Sequence, residues 1–113
     1  MKKSIIVVMV VVLLFSTVAY AEIEVVHNKP ILTFSGTSAS CFVNLYYPGK
    51  RIDATLKLYK GNTLIASWHN TGNTSVTISG THSVVSGNTY TLKVTGTAGG
   101  NTINITPVTK TCP

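Results

Sequence analysis

The side chains able to do acid–base or metal chemistry are few in this 113-residue chain. Its carboxylates are Glu22, Glu24 and Asp53, its imidazoles His27, His69 and His82, and its thiols Cys41 and Cys112. Two-carboxylate glycoside hydrolysis needs an acid and a partner carboxylate across the scissile bond. Here Asp53 would have to recruit Glu22 or Glu24 from a polar stretch near the N-terminus. A Ser nucleophile on a G-x-S-x-G elbow is absent. A zinc site would need His27, His69 and His82 to converge from three separate stretches, and no Cys or His spacing completes a local site. Each His is therefore expected as a surface or half-buried residue with one hydrogen bond. Asp53 is expected as a solvated charge beside Lys57 or Arg51. The chain is not expected to be an enzyme, and no catalytic residue, metal or cofactor is expected.

A different chemistry is open to the aromatic and basic residues. Phe42, Tyr46 and Tyr59 fall on outward strand parities, close in sequence to Lys50, Arg51, Lys57 and Lys60. Rings beside cations can stack on a sugar and attract an anionic polymer. These seven residues form the candidate ligand-binding face. The competing reading is that an outward ring packs on its cross-strand neighbour or on a terminal segment such as Ile31–Phe34. Nucleic acid is a poor match, because the positive charge is modest and the chain carries export features.

Those features lie at the start. Lys2 and Lys3 precede an apolar run from Ile5 to Phe15, and Ala19-Tyr20-Ala21 offers an A-x-A cleavage site. This is the three-part pattern of a signal peptide over residues 1–21, with an apolar run short for a membrane span, and the alternative is an uncleaved N-terminal anchor. The mature chain would begin at Glu22 with a net charge of about +4, be secreted or loosely held at the cell surface, and have no membrane segment. In an oxidising compartment Cys41 and Cys112 are the only available pair, so a single disulfide is expected between them. In the chain-entropy account such a long loop stabilises the fold by about 4 kcal/mol. Two free thiols or a metal pair are the alternatives.

The elements that must position these residues are short strands. After a polar lead-in over residues 22–30, one domain is expected over residues 31–113. Cys41, Val43 and Leu45 share one parity; Ile52, Ala54, Leu56 and Leu58 share the next; Val76 with Ile78, then Tyr90, Leu92 and Val94, follow. Period two over six or seven short runs predicts half-buried antiparallel strands. Pro48-Gly49-Lys50-Arg51 reads as a turn between two of them. The tripeptide Gly-Asn-Thr occurs at residues 61, 72, 87 and 100, each time before an alternating run. Gly tolerates positive φ and Asn the left-handed region, so each copy reads as a hairpin turn. The unequal spacings argue against a solenoid, which needs a fixed period.

Such a pattern predicts an all-β chain, folded as an immunoglobulin-like or fibronectin-type antiparallel sandwich of about seven strands. In Ser86-Gly87-Asn88-Thr89-Tyr90-Thr91-Leu92-Lys93-Val94, a Tyr enters a strand after a turn, which resembles a tyrosine corner at Tyr90. Trp68 is expected in the core. Antibody domains place a Cys two residues after that Tyr, where this chain has Leu92, so an antibody-type domain is not expected.

Taken together, the leader, the early Cys, the Lys-Gly-Asn hairpin before a Trp, the Ser-Gly-x-x-Tyr-x-x-Lys-Val stretch and the terminal Cys resemble small secreted single-domain proteins of Gram-positive bacteria. The resemblance spans Cys41 to Cys112. It implies an exported, free-standing sandwich domain and supplies no active site, because that group has no established function.

The functional expectation is a secreted, non-enzymatic β-sandwich domain that acts by binding or as a structural, surface-associated protein. One alternative is a module for carbohydrate or cell-wall polymer, using the aromatic-basic face. Another is a secreted inhibitor that presents a loop, with Gly96–Gly100 and Asn70–Asn73 as the expected tips. The partner classes left open are thus a cell-wall polysaccharide and another secreted protein.

Overall fold

The computed structural model describes residues 27–113. The leader expected over residues 1–21, and Glu22 to Val26 of the lead-in, lie outside the described residues. The described chain is all-β, with six strands joined by antiparallel pairing: β1 (Ile31–Ser35), β2 (Ser38–Lys60), β3 (Thr63–Ser83), β4 (Thr89–Ala98), β5 (Asn101–Thr102) and β6 (Val108–Thr111).

Two of these strands are much longer than expected. Pro48-Gly49-Lys50-Arg51 does not end a strand, because β2 runs through it. The ladder between β2 and β3 breaks register between Tyr46 and Arg51 and then resumes. Gly49 there takes a φ of 71°, and its N–H donates to Thr74 Oγ1 at 3.3 Å. Extra residues in one strand of an antiparallel pair bend it and increase its twist. The same residue types that close a turn here make a bulge. Gly72-Asn73-Thr74 is likewise inside β3 rather than in a hairpin, and the positive φ falls on Thr74, at 68°. The other three copies differ: Gly87 lies in a turn between β3 and β4, which do not pair with each other, and Gly100 ends the β4–β5 turn while Asn101-Thr102 is β5 itself. Gly61-Asn62 forms the two-residue connection between Lys60 and Thr63, with Gly61 at a φ of 59°.

Because β2 and β3 bend together, each has two halves with different neighbours. Residues 38–46 of β2 lie between β1 and residues 75–83 of β3. Residues 51–60 of β2 lie between residues 63–73 of β3 and β4. Strand β4 then pairs β6 on Thr89–Leu92 and β5 on Thr97–Ala98.

The inward parities of both halves meet in one buried cluster. Leu32, Cys41, Val43, Leu45, Val76 and Ile78 come from the first half, and Ile52, Leu56, Leu58, Tyr90, Leu92 and Val94 from the second. A direct marker of this folding-back is the contact between Trp68 and Gly80. Both lie on β3, Trp68 opposite Leu56 and Gly80 opposite Cys41. The indole lies so close over Gly80 that a Cβ there would overlap Cε2, Nε1 and Cδ2 of the ring. Glycine is required because a neighbouring ring occupies the space of a side chain.

Both thiols are buried and free. The Cys41–Cys112 bridge expected from the sequence is not formed in this structure. Cys41 faces inward in mid-ladder, opposite Leu32 and Gly80, while Cys112 Sγ lies 3.8 Å from the Gly36 carbonyl, at the β1–β2 turn. Burial pushes the Cys41 thiol up from 9.0 to about 11.

Candidate functional site

The strand halves divide the aromatic-basic residues into three groups. Phe42 and Tyr46 lie on the outer face of the first half of β2, and both are exposed. Lys57 and Tyr59 lie on the outer face of the second half, with Lys60 at its end. Lys50 and Arg51 sit at the bulge between them, exposed, with the Arg51 carbonyl accepting from Gly99 N–H at 2.8 Å. The seven residues thus do not form one face. Phe42 and Tyr46 are outward in the first half and Lys57 and Tyr59 in the second, Lys60 shares the parity of buried Leu58, and the bend puts the outward directions of the two halves on different surfaces.

On the first surface, much of the aromatic area is already engaged. The His27 ring lies 5.2 Å from that of Tyr46, at 35°. Asn28 adds three hydrogen bonds: its N–H donates to the Asn44 carbonyl (2.7 Å), its Nδ2 to the Tyr46 carbonyl (3.2 Å), and its Oδ1 accepts from Tyr46 N–H (2.8 Å). Phe42 pairs with Ile31 across the β1–β2 ladder. The end of the polar lead-in is therefore part of the fold, and Pro30 is fully buried. The sequence gives one signal of this, an Asn able to bond to backbone on both sides of its amide.

The second surface is half-buried at Lys57, Tyr59 and Thr91 and exposed at Lys93. Lys57 stands directly opposite Lys93 across the β2–β4 ladder, and Tyr59 opposite Thr91. Thr91 continues the row to Thr109 of β6 through a hydroxyl–hydroxyl bond of 3.0 Å. Lys93 was not among the residues singled out from the sequence, because its cross-strand neighbour is set by register and not by spacing. Like charges directly opposite on a sheet destabilise it, so an anion over Lys57 and Lys93 would relieve a repulsion.

The remaining titratable residues are dispersed. Asp53 is paired with His69, whose Nε2 lies 2.5 Å from its Oδ1, not with Lys57 or Arg51 as expected. Asp53 pairs with Thr71 and Thr55 with His69, so carboxylate and imidazole meet on a diagonal. His82 is half-buried, and its Nδ1 lies 2.7 Å from the Ser83 carbonyl, to which it donates. Among the described residues, no three His, Cys, Asp or Glu side chains come together.

Tyr90 is buried, and its hydroxyl accepts a hydrogen bond from Val85 N–H at 2.8 Å. Its ring lies 5.9 Å from that of Phe34, which ties β4 to β1. The two loop tips expected from the sequence are mostly strand. Asn70–Asn73 lies within β3, and only Gly99 and Gly100 of Gly96–Gly100 form a turn. Between the N-terminal and C-terminal segments runs an open cleft in two parts. One, of about 400 Å³, is lined by Pro30, Ile31, Val108, Lys29 and Lys110. The other, of about 490 Å³, includes Asn28, Asn104 and Pro107.

No protein-family model matches the chain, and no curated protein is significantly similar to it.

Proposed function

We propose that this chain is an exported, non-enzymatic module with an immunoglobulin-like, fibronectin-type sandwich, acting by binding or as a structural, surface-associated domain. The observation that carries the reading is the pairing pattern. If each half of β2 and of β3 is counted as a strand, β1 and two halves make one sheet, while the other two halves and β4, with β5 and β6 along its far edge, make a second. Two antiparallel sheets facing each other across a shared core is the arrangement expected of such a sandwich. The Tyr90–Val85 bond fits a tyrosine corner in its usual place, at the start of the strand following the crossing between sheets.

Export rests on the leader pattern of residues 1–21. In an oxidising compartment Cys41 and Cys112 would form the bridge proposed from the sequence. Membership of both in one buried cluster supports this, since oxidation would join the middle of β2 to the end of the chain. The non-enzymatic reading rests on the chain's three carboxylates and on the engagement of Asp53 by His69.

A second reading, binding of an anionic or carbohydrate polymer, is favoured by one observation, the Lys57–Lys93 pair beside Tyr59, which has no acidic partner among the described residues. The site is then narrower than the seven residues taken from the sequence. The experiment is retention of the secreted protein on purified cell-wall polysaccharide, for wild type, Lys57→Ala with Lys93→Ala, and Phe42→Ala with Tyr46→Ala. Loss of salt-sensitive retention in the lysine variant alone supports polymer binding by the second surface. Retention unaffected by either variant removes both surfaces. A single protein captured from the culture supernatant instead would favour the antagonist or assembly reading.

A further inference from the structure

Strand β3 is an unpaired edge along both of its halves. Among the described residues it pairs with β2 alone, so one row of its backbone N–H and C=O groups, from Thr63 to Ser83, has no ladder partner. An exposed edge is a template for another strand, and proteins usually blunt it with Lys, other charges, Pro or short length. The other edges here follow that rule. Strand β1 has 5 residues and is preceded by Lys29 and Pro30; β6 has 4 residues and carries Lys110. Strand β3 has 21 residues and contains no Lys, Arg, Asp, Glu or Pro. Every formally charged residue of the chain lies outside it. The edge is interrupted only by an extra residue at Ile65 and by the register break at Thr74, and it carries no formal charge along its length, although the molecule is cationic overall.

We propose that β3 is an interface, and that its partner is the β3 of a second copy of this chain, paired antiparallel through Thr63–Asn70. The charge distribution selects this occupant. Two copies of a cationic protein repel, but an uncharged edge lets them approach where that repulsion is weakest. A two-fold axis makes the contact self-complementary, so the backbone row of one copy satisfies the same row of the other. The N-terminal half is chosen because it carries the apolar residues. Leu64 is 48% exposed, and Ile65 and Trp68 are only half-buried. Beside Trp68 the edge is indented by a shallow cavity of about 290 Å³, which reaches Asn70, Thr77 and Ser79. The pairing joins two sheets into one continuous sheet and leaves the Lys57–Lys93 surface open. It does not depend on export or on polymer binding.

The test is the mass in solution of the protein obtained by expressing the full chain, by sedimentation equilibrium from low to high micromolar concentration. Wild type is expected as a dimer in reversible exchange with monomer, with tryptophan emission shifting to the blue as the dimer forms. Leu64→Lys, at an exposed position that leaves the core untouched, puts a cation on each copy at the contact and is expected to weaken dimerisation on the order of tenfold or more. Thr81→Lys, on the other half of β3, is expected to leave it unchanged. Circular dichroism and the urea midpoint verify that both variants fold. A wild type that stays monomeric at all concentrations overturns the proposal. So does a dimer that survives Leu64→Lys, or one that Thr81→Lys dissolves instead.

Discussion

Replacing Gly80 by alanine tests whether the two halves of β3 are stacked as described. A new Cβ at Gly80 would overlap three atoms of the Trp68 indole, so the ring must leave its place. A tryptophan buries roughly 150–250 Å² when enclosed. Trp68 is half-buried, so about 100 Å² is at stake, or about 2.5 kcal/mol at roughly 25 cal/mol per Å². Overpacking in other cores costs about 1–3 kcal/mol, in line with this figure. In a domain of this size, 2.5 kcal/mol corresponds to a fall in Tm of about 10–20 °C. Urea denaturation followed by the emission of the single tryptophan reads both effects, a lower midpoint and a red-shifted folded spectrum. The control is the same substitution in a Trp68→Ala background. With the ring gone, alanine in a strand should stabilise relative to glycine by roughly 0.5–1 kcal/mol. If Gly80→Ala is neutral or stabilising with Trp68 present, and the emission does not move, the stacking of the two halves is wrong.

Further expectations follow from individual contacts. Tyr90→Phe removes the acceptor for Val85 N–H and should cost about 1–2 kcal/mol by denaturant titration, with the fold retained. Asp53→Asn breaks an exposed pair with His69 and should change stability by no more than about 0.5 kcal/mol, despite the short contact. The reduced protein should lose stability as pH rises from 9 to about 11, because folding holds the Cys41 thiol protonated above its ordinary range. The native state then binds more protons than the unfolded chain across that window, so stability is complete below it and falls through it. Cys41→Ala should flatten this part of the urea-midpoint profile; an unchanged profile would show that other groups govern it.

Much of the core was legible in the sequence because a strand repeats every two residues. Cys41, Val43 and Leu45, then Ile52, Ala54, Leu56 and Leu58, are inward as their parity required. The bend between them was also written there, since inward positions are odd up to Leu45 and even from Ile52. Such a switch needs a register break, but Pro48-Gly49 reads equally well as a turn, and composition does not separate the two. The site was less legible. Parity says that Phe42, Tyr46 and Tyr59 point outward, yet which surface they share depends on the bend. Lys93 beside Lys57, and His69 beside Asp53, arise from register between strands distant in sequence. Local spacing carries no information about register of that kind.

The functional account stands on export of a mature domain, and one measurement addresses it most directly. The full chain would be expressed in a Gram-positive host, and the protein recovered from medium, wall and cell fractions would be weighed by intact mass spectrometry with and without reduction. The account predicts a species in the medium or loosely on the wall that begins at Glu22 and gains the mass of two hydrogens on reduction. Full-length protein retained in the cells, with Met1 present and both thiols free, would contradict it.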